Sequence, residues 1–245
     1  MNKKYQCRAV ACFDVMGFKD SLYRNGINGV ANIINELSEI VDGVRTAETN
    51  LIYKNGNVFD DQTIMPVLFS DTILFISHGE SIGAVLKIII ASAYLLDRAF
   101  KTEIPLKGAL AFGEFIGDFN DNLQPGKFYG MPLVDADNLS KEIHFYGAVL
   151  HHTLESYIKN KTEADDYQKF NRVFSGVLKE GKVPIKNGGC ATHVFIDWTD
   201  ISDGNKKELI SNFYKTSSGS IRKYVDNTSK VYNEHHSSIV MPRKY

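Results

Sequence analysis

Residues 9–18, Ala-Val-Ala-Cys-Phe-Asp-Val-Met-Gly-Phe, constrain this chain more than any other stretch. An apolar run of this length with a flanking glycine reads as a buried strand rather than a helix. It ends on Asp14, and a carboxylate is seldom buried unless it is paired or holds a metal. Gly17 then lets the backbone turn tightly, and a tight turn of N–H groups faces an anion readily. Two readings stand side by side. One is a metal carboxylate followed by a phosphate cradle; the other is a strand-end aspartate that caps the next helix.

The rest of the chain supplies a strand–helix alternation around that stretch. Val30, Ile33, Ile34, Leu37, Ile40, Val41 and Val44 recur at three- and four-residue steps and predict a helix, with Gly26 and Gly29 blurring its start. Residues 46–62 are polar, with a turn signal at Asn55-Gly56-Asn57, and read as a loop or short hairpin. Thr63 to Ser77 reads as a β-hairpin with Ser70-Asp71 at its tip. Pro66 places its first strand at an edge or bulge. Asp71 is thus a second strand-junction carboxylate, unless it is a plain turn aspartate. A helix from about 80 to 100 follows, then a glycine-rich strand over 105–117 and a loop over 120–126. Gly130 and Pro132 mark the entry of a helix with its stripe at Leu133, Ala136, Leu139 and Ile143. A short strand covers 145–150. Beyond it, 154–177 reads as helical, 191–198 as a strand, and 206–214 and 221–235 as helices. The first six elements are βαββαβ, so the fold class expected is α+β with a ferredoxin-like core. Without a legible linker, the chain of 245 residues reads as one domain, with a core over about 8–150 and a C-terminal α/β elaboration over about 151–245.

Composition excludes several classes of function. A net charge of −1 gives no basic surface for nucleic acid. The longest apolar stretch, Ile82 to Leu96, is too short for a membrane span and carries Lys87. The first residues hold no apolar signal-peptide segment. Cys7, Cys12 and Cys190 have no metal spacing and read as reduced, buried thiols of a cytoplasmic protein. His151-His152 and His235-His236 are given no role, because adjacent histidines diverge and no Glu or Cys lies at metal spacing. No nucleophile elbow is present.

Four stretches together resemble the class III nucleotidyl cyclases. Phe-Asp-Val-Met-Gly-Phe (13–18) is similar to the family's Phe-x-Asp-x-x-Gly-Phe opening, and Phe-Ser-Asp-Thr-Ile-Leu-Phe (69–75) to its Gly-Asp hairpin. Lys-Gly-Ala-Leu-Ala-Phe-Gly-Glu (107–114) resembles the strand that usually ends in His-x-Gly, and 130–138 the Gly-x-x-x-Asn-x-Ala-x-Arg helix. The departures carry information too. The purine-selecting position, four before the second aspartate, is Val67, which offers no side-chain hydrogen bond. The transition-state asparagine falls on Val134, the transition-state arginine on Asn138, and the hairpin glycine on Ser70. Loss of the purine apparatus with both aspartates kept resembles the Pycsar-type pyrimidine cyclases of bacterial anti-phage defence.

What the resemblance implies is specific. The activity is cyclisation of UTP or CTP to cUMP or cCMP, by a homodimer with sites at its interface. Asp14 and Asp71 hold two divalent cations, Mg²⁺ or Mn²⁺, and the Val15 carbonyl completes one site. Backbone N–H groups over Met16, Gly17 and Phe18 hold the β- and γ-phosphates. Lys107 and Lys141 are the candidates for added positive charge, Lys141 sharing a helix face with Asn138, against a solvated surface lysine as the alternative for each. Met65 to Val67, with Phe128 or Tyr129, would wall the base, against ordinary core packing. The product would reach a separate cyclic-nucleotide effector. The alternatives are an adenylyl or guanylyl cyclase with altered base contacts, and a degenerate nucleotide-binding signalling domain.

Overall fold

The structure, a computed structural model, describes residues 6–54, 64–119, 125–161, 174–234 and 237–238. Strand β1 (Gln6–Val15) leads into α1 (Phe18–Lys54), the hairpin β2 (Ile64–Phe69) and β3 (Thr72–Ser77), α2 (Ile82–Lys101) and β4 (Leu106–Phe119). These are the βαββαβ elements read from the sequence. Their sheet order, β2-β3-β1-β4 with every neighbour antiparallel, is the ferredoxin-like order. Then follow β5 (Pro125–Gly130), α3 (Met131–Glu142), β6 (Gly147–Leu150), α4 (His152–Lys161), β7 (Leu178–Pro184), β8 (Cys190–Ile196), α5 (Lys206–Thr216), α6 (Arg222–Asn233) and β9 (Ser237–Ser238). Strand β6 pairs in parallel with β4, and β8, β7 and β9 extend the same sheet.

The period of β1 sorts its side chains onto two faces. Ala9, Ala11, Phe13 and Val15 join the main core with Val30, Leu37, Ile40, Val41 and Val44 of α1 and most of α2. Val10 and Cys12 face the other way, into small apolar clusters with Met65, Leu74, Ile76, Ala111, Phe115 and Ala136. Helix α3 covers that second face. Asp14 has the parity of Cys12, so it lies on the α3 side at the end of the central strand.

Several expectations need correcting. The stretch 46–62 is not a loop from its start, because α1 runs to Lys54; residues 55–62 lie outside the described residues. Gly26, at φ +66°, breaks α1 into a short first segment and a long second one. The end of the expected 120–126 loop belongs to β5, a strand the periodicity hid because Gly126 and Gly130 dilute it. The helix expected over 154–177 is α4 with a last helical turn at 174–177, and β7 follows at once; 162–173 lie outside the described residues. Pro66 sits on the edge strand β2, as its missing N–H requires. Of the three thiols expected to be buried, only Cys12 is: Cys7 is half-buried and Cys190 exposed.

Gly108 shows why β4 is rich in small residues. It lies directly opposite Phe13, and a Cβ there would stand 2.4 Å from the Phe13 ring and 2.8 Å from the Cys12 carbonyl oxygen. The ring can turn but the backbone oxygen cannot. Gly108→Ala is therefore expected to cost about 1–3 kcal/mol of overpacking, read as a lower denaturant midpoint with an unchanged slope. An unchanged midpoint would mean that β1 and β4 can separate freely.

Candidate active site

Three backbone features build one corner of the molecule. The β2–β3 hairpin turns on Ser70-Asp71, with Ser70 at φ +55°, a left-handed conformation that a two-residue hairpin turn demands. The Val15 N–H donates to the Asp71 carbonyl oxygen (2.9 Å), which locks the hairpin tip onto the end of β1. The N–H and C=O of one strand residue point to the same neighbour. The Val15 carbonyl therefore also points toward Asp71. Asp14 and Asp71 are brought together at this corner.

Helix α1 starts on its rim. Gly17 takes φ +77°, and its carbonyl accepts from Ser21 N–H (2.9 Å) as the first bond of the helix. The N–H groups of Phe18, Lys19 and Asp20 then have no intrahelical partner, the usual state of a helix N-terminus and one suited to an anion. The Met16 N–H is not part of that set: it donates to the Pro105 carbonyl oxygen (2.8 Å). The cradle available at this turn is Gly17 and Phe18, continued into Lys19 and Asp20.

Lys107 lies opposite Asp14 in the β1–β4 register, on the same face of the sheet. Its side chain is 4% exposed, so the solvated-surface alternative does not hold for it, and its Nζ stands 3.9 Å from Asp14 Oδ2. Burial pulls the Lys107 ammonium below its ordinary pKa, Lys186 adds to this, and Asp14 opposes it. Burial likewise pushes the Asp14 carboxyl up, Lys107 pulls it down, and Asp71 pushes it up again. Desolvation outweighs the pairing for both partners. Lys141 differs: it is exposed and donates to Asp137 (2.5 Å), which raises its pKa. Its partner is Asp137 at i−4, not the exposed Asn138.

Val67 is half-buried and packs with Phe128 and Leu133 against both small clusters of the second face. Met65 is buried there, and Phe128 stacks on Phe115 at 6.3 Å. Tyr129 and Val134 are 57% and 50% exposed, which leaves them outside any packed wall in this chain alone.

Asp137, His144, Lys186, Tyr224 and Asn227 were not singled out in the sequence. Asp137 acts on Asp14 and Cys12 through space, and burial first, then Asp137 and Asp14, push the Cys12 thiol up to about 12. The Asp137–Lys141 spacing was the available signal. The C-terminal half brings Lys186, and sets Asn227 and Tyr224 against His144. Lys186 sits in the β7–β8 turn, where its N–H donates to the Glu142 carbonyl oxygen (2.9 Å). Asn227 of α6 donates to the His144 carbonyl oxygen (2.6 Å), and Tyr224 packs edge-to-face on His144 at 3.9 Å. Burial raises the Tyr224 hydroxyl, and Asp14 raises it further. Burial lowers His144, and Lys223, Lys186 and Lys107 lower it more. No local pattern announces these contacts.

Hard oxygen donors of this kind suit Mg²⁺ or Mn²⁺. Two carboxylates whose charges oppose each other, beside a strand-end carbonyl, fit such a cation. Among the described residues, no group of three or more His, Cys, Asp or Glu side chains is arranged to hold a metal. The His151 and His152 rings do not diverge but meet at a tilt of 50° with centroids 4.1 Å apart, and His151 Nδ1 lies 3.0 Å from the Thr153 hydroxyl, while 235–236 lie outside the described residues. Among the described residues no helix is long and apolar enough to cross a membrane.

No protein-family description matches this sequence, and no curated protein does. Solved structures do. The chain is similar to the adenylyl cyclase CyaB from P. aeruginosa at 11% identity and a TM-score of 0.40, over 80% of this chain and 95% of that one. It is similar to adenylate cyclases from Trypanosoma brucei in their monomeric state at 8% identity and a TM-score of 0.41, over 82% and 92%. It is also similar to the dimeric guanylyl cyclase domain of the RhoGC fusion protein from the aquatic fungus Blastocladiella emersonii, at 10% identity and a TM-score of 0.48, over 78% and 96%.

Proposed function

We propose that this chain is a nucleotidyl cyclase that converts a pyrimidine nucleoside triphosphate, UTP or CTP, to its 3′,5′-cyclic monophosphate and pyrophosphate. The observation that carries the reading is the meeting of Asp14 and Asp71 at the end of the central strands, beside the N-terminus of α1. In the reaction the ribose 3′-oxygen attacks the α-phosphorus. One P–O bond forms, the bond to pyrophosphate breaks, and the hydroxyl proton passes to solvent water. Divalent cations held by Asp14, Asp71 and the Val15 carbonyl would acidify that hydroxyl and offset charge on the departing pyrophosphate. The chain's own part is positioning. The turn at Gly17 and Phe18 aims N–H groups at the β- and γ-phosphates. Lys107 contributes a buried positive charge at the same corner. Lys141, tied to Asp137, and Asn138 stand on the α3 side.

The apolar character of Val67, and its packing with Phe128, support a base held by shape rather than by purine-specific hydrogen bonds. Exposed Phe69, Tyr129, Met131 and Val134 lie at the hairpin tip and the start of α3, apolar surface that a second copy would cover in a homodimer. By the resemblance, the product is a cytoplasmic second messenger of anti-phage defence, read by a separate effector.

The test is incubation of the purified chain with ATP, GTP, CTP and UTP in turn, with Mg²⁺ or Mn²⁺, and identification of products by mass spectrometry. The expected product is cUMP or cCMP. Cyclic AMP or cyclic GMP would keep the cyclase and overturn the reading of Val67. A folded dimer that makes no product would leave a nucleotide-binding signalling domain.

A further inference from the structure

The pairing of Lys107 with Asp14 has an unusual construction. The two are directly opposite in an antiparallel ladder, so the backbone fixes their proximity. Yet the ammonium stands 3.9 Å from the nearer carboxylate oxygen, an ion pair beyond hydrogen-bonding distance. One end is buried, at 4% exposure, and the other is open, at 39%. A lysine carries a compact point charge on a flexible stem of four carbons, so its Nζ moves by rotamer change without moving β4. Asp14 is also the carboxylate placed to take a divalent cation, and the α1 N-terminus beside it is placed to take an anion. One ammonium therefore has two possible partners within a single corner.

We infer that Lys107 is an exchangeable counter-ion: it pairs with Asp14 while the corner is empty and passes to the polyphosphate when a divalent cation takes Asp14. The inference rests on the metal and phosphate reading proposed above and adds a coupling to it. A cation arriving alone must displace Lys107 from Asp14. A polyphosphate arriving alone must draw Lys107 away from the same carboxylate. When both arrive, the pair is broken once rather than twice. Metal and polyphosphate then strengthen each other's binding by the worth of that pair, in addition to their direct contact, and by linkage the effect is equal in both directions.

The experiment uses the whole chain and inorganic triphosphate, which has no base or ribose and cannot be cyclised. Titration calorimetry gives the Mn²⁺ affinity with and without triphosphate, and the triphosphate affinity with and without Mn²⁺. In the wild-type chain each should tighten the other. In Lys107→Met, Mn²⁺ alone should bind about 10-fold tighter, because a cation near 4 Å no longer competes. The mutual effect should fall by about the same factor, leaving only direct metal–phosphate contact. Lys107→Gln, with a polar side chain of similar length, should behave alike and takes the place of Lys107→Met if that variant folds poorly. Equal Mn²⁺ affinity in wild type and variant, an undiminished mutual effect, or no Mn²⁺ binding by either protein would each overturn the inference. Its fate is separable from that of the proposed reaction. Coupling without any cyclic product would leave the exchange standing and remove the cyclase, and cyclic product with unchanged coupling would do the reverse.

Discussion

Asp71→Asn is expected to lower turnover at least about 1,000-fold while leaving the fold in place. The carboxylate is a ligand in the proposed reaction, but the structural work of the residue is done by its backbone: the Asp71 carbonyl accepts from Val15 N–H, and asparagine keeps that bond. Asparagine also suits a hairpin tip. Asp14→Asn should lose a similar factor, with a stability signature that Asp71→Asn need not show. The Asp14 carboxyl is held above its ordinary pKa, first by burial, with Lys107 opposing and Asp71 adding. A carboxyl raised on folding binds more protons folded than unfolded, so ionising it lowers stability as pH rises from the ordinary carboxylate range through the folded value. Asparagine has no such loss. Asp14→Asn should therefore melt higher than wild type at neutral pH, by a small margin because a carboxylate 39% exposed is well screened. The gain should shrink on acidification toward the ordinary carboxylate range. Added Mn²⁺ should raise the melting temperature of the wild type and not of the variant. Full turnover by either variant would sink the assignment of the corner as the reaction site.

The second large effect concerns the C-terminal half. Phe100, at the end of α2, stacks on Trp198 at 4.4 Å and meets Phe213 and Tyr232 edge-on at 5.4 and 6.1 Å. One core side chain thus touches the residues that follow β8, helix α5 and helix α6, and both Phe100 and Trp198 are buried. Phe100→Ala should cost about 3–5 kcal/mol. Trp198 is the only tryptophan in the chain, so its emission reports the docking of this half while far-UV circular dichroism reports the whole. The two signals should fall together in denaturant, at a lower midpoint in the variant, if the chain unfolds as one domain. Two separate transitions in the wild type would divide the chain into two units.

Much of the core was legible because its signals are local. The stripe from Val30 to Val44 faces the core as its spacing requires, Pro66 lies on an edge strand, and Ser70-Asp71 turns a hairpin. Gly130 and Pro132 do open a helix, α3, at Met131. Strand β5 was not legible, since a six-residue strand with two glycines is too diluted to alternate, and it exists because β4 is long enough to pair with it. Strand β7 was hidden behind the helix before it. Its Lys-Glu-Gly-Lys run lacks strand propensity, and pairing with β8 overrides that.

The candidate site divides along the same line. Sequence alone determined that two aspartates stand at strand junctions, that a glycine turn follows the first, and that position 67, four before the second aspartate, is apolar. Those features depend on residues a few positions apart, whose geometry the backbone sets. Only the tertiary structure decided that Asp14 faces a buried Lys107, that Met16 N–H is engaged by Pro105, and that Lys186, His144 and Tyr224 come near the corner. Most of these partners are tens to hundreds of residues apart. Their meeting depends on strand register and sheet order, which a one-residue slip would reverse. Desolvation, the largest influence on both Asp14 and Lys107, does not exist until the chain has closed around them.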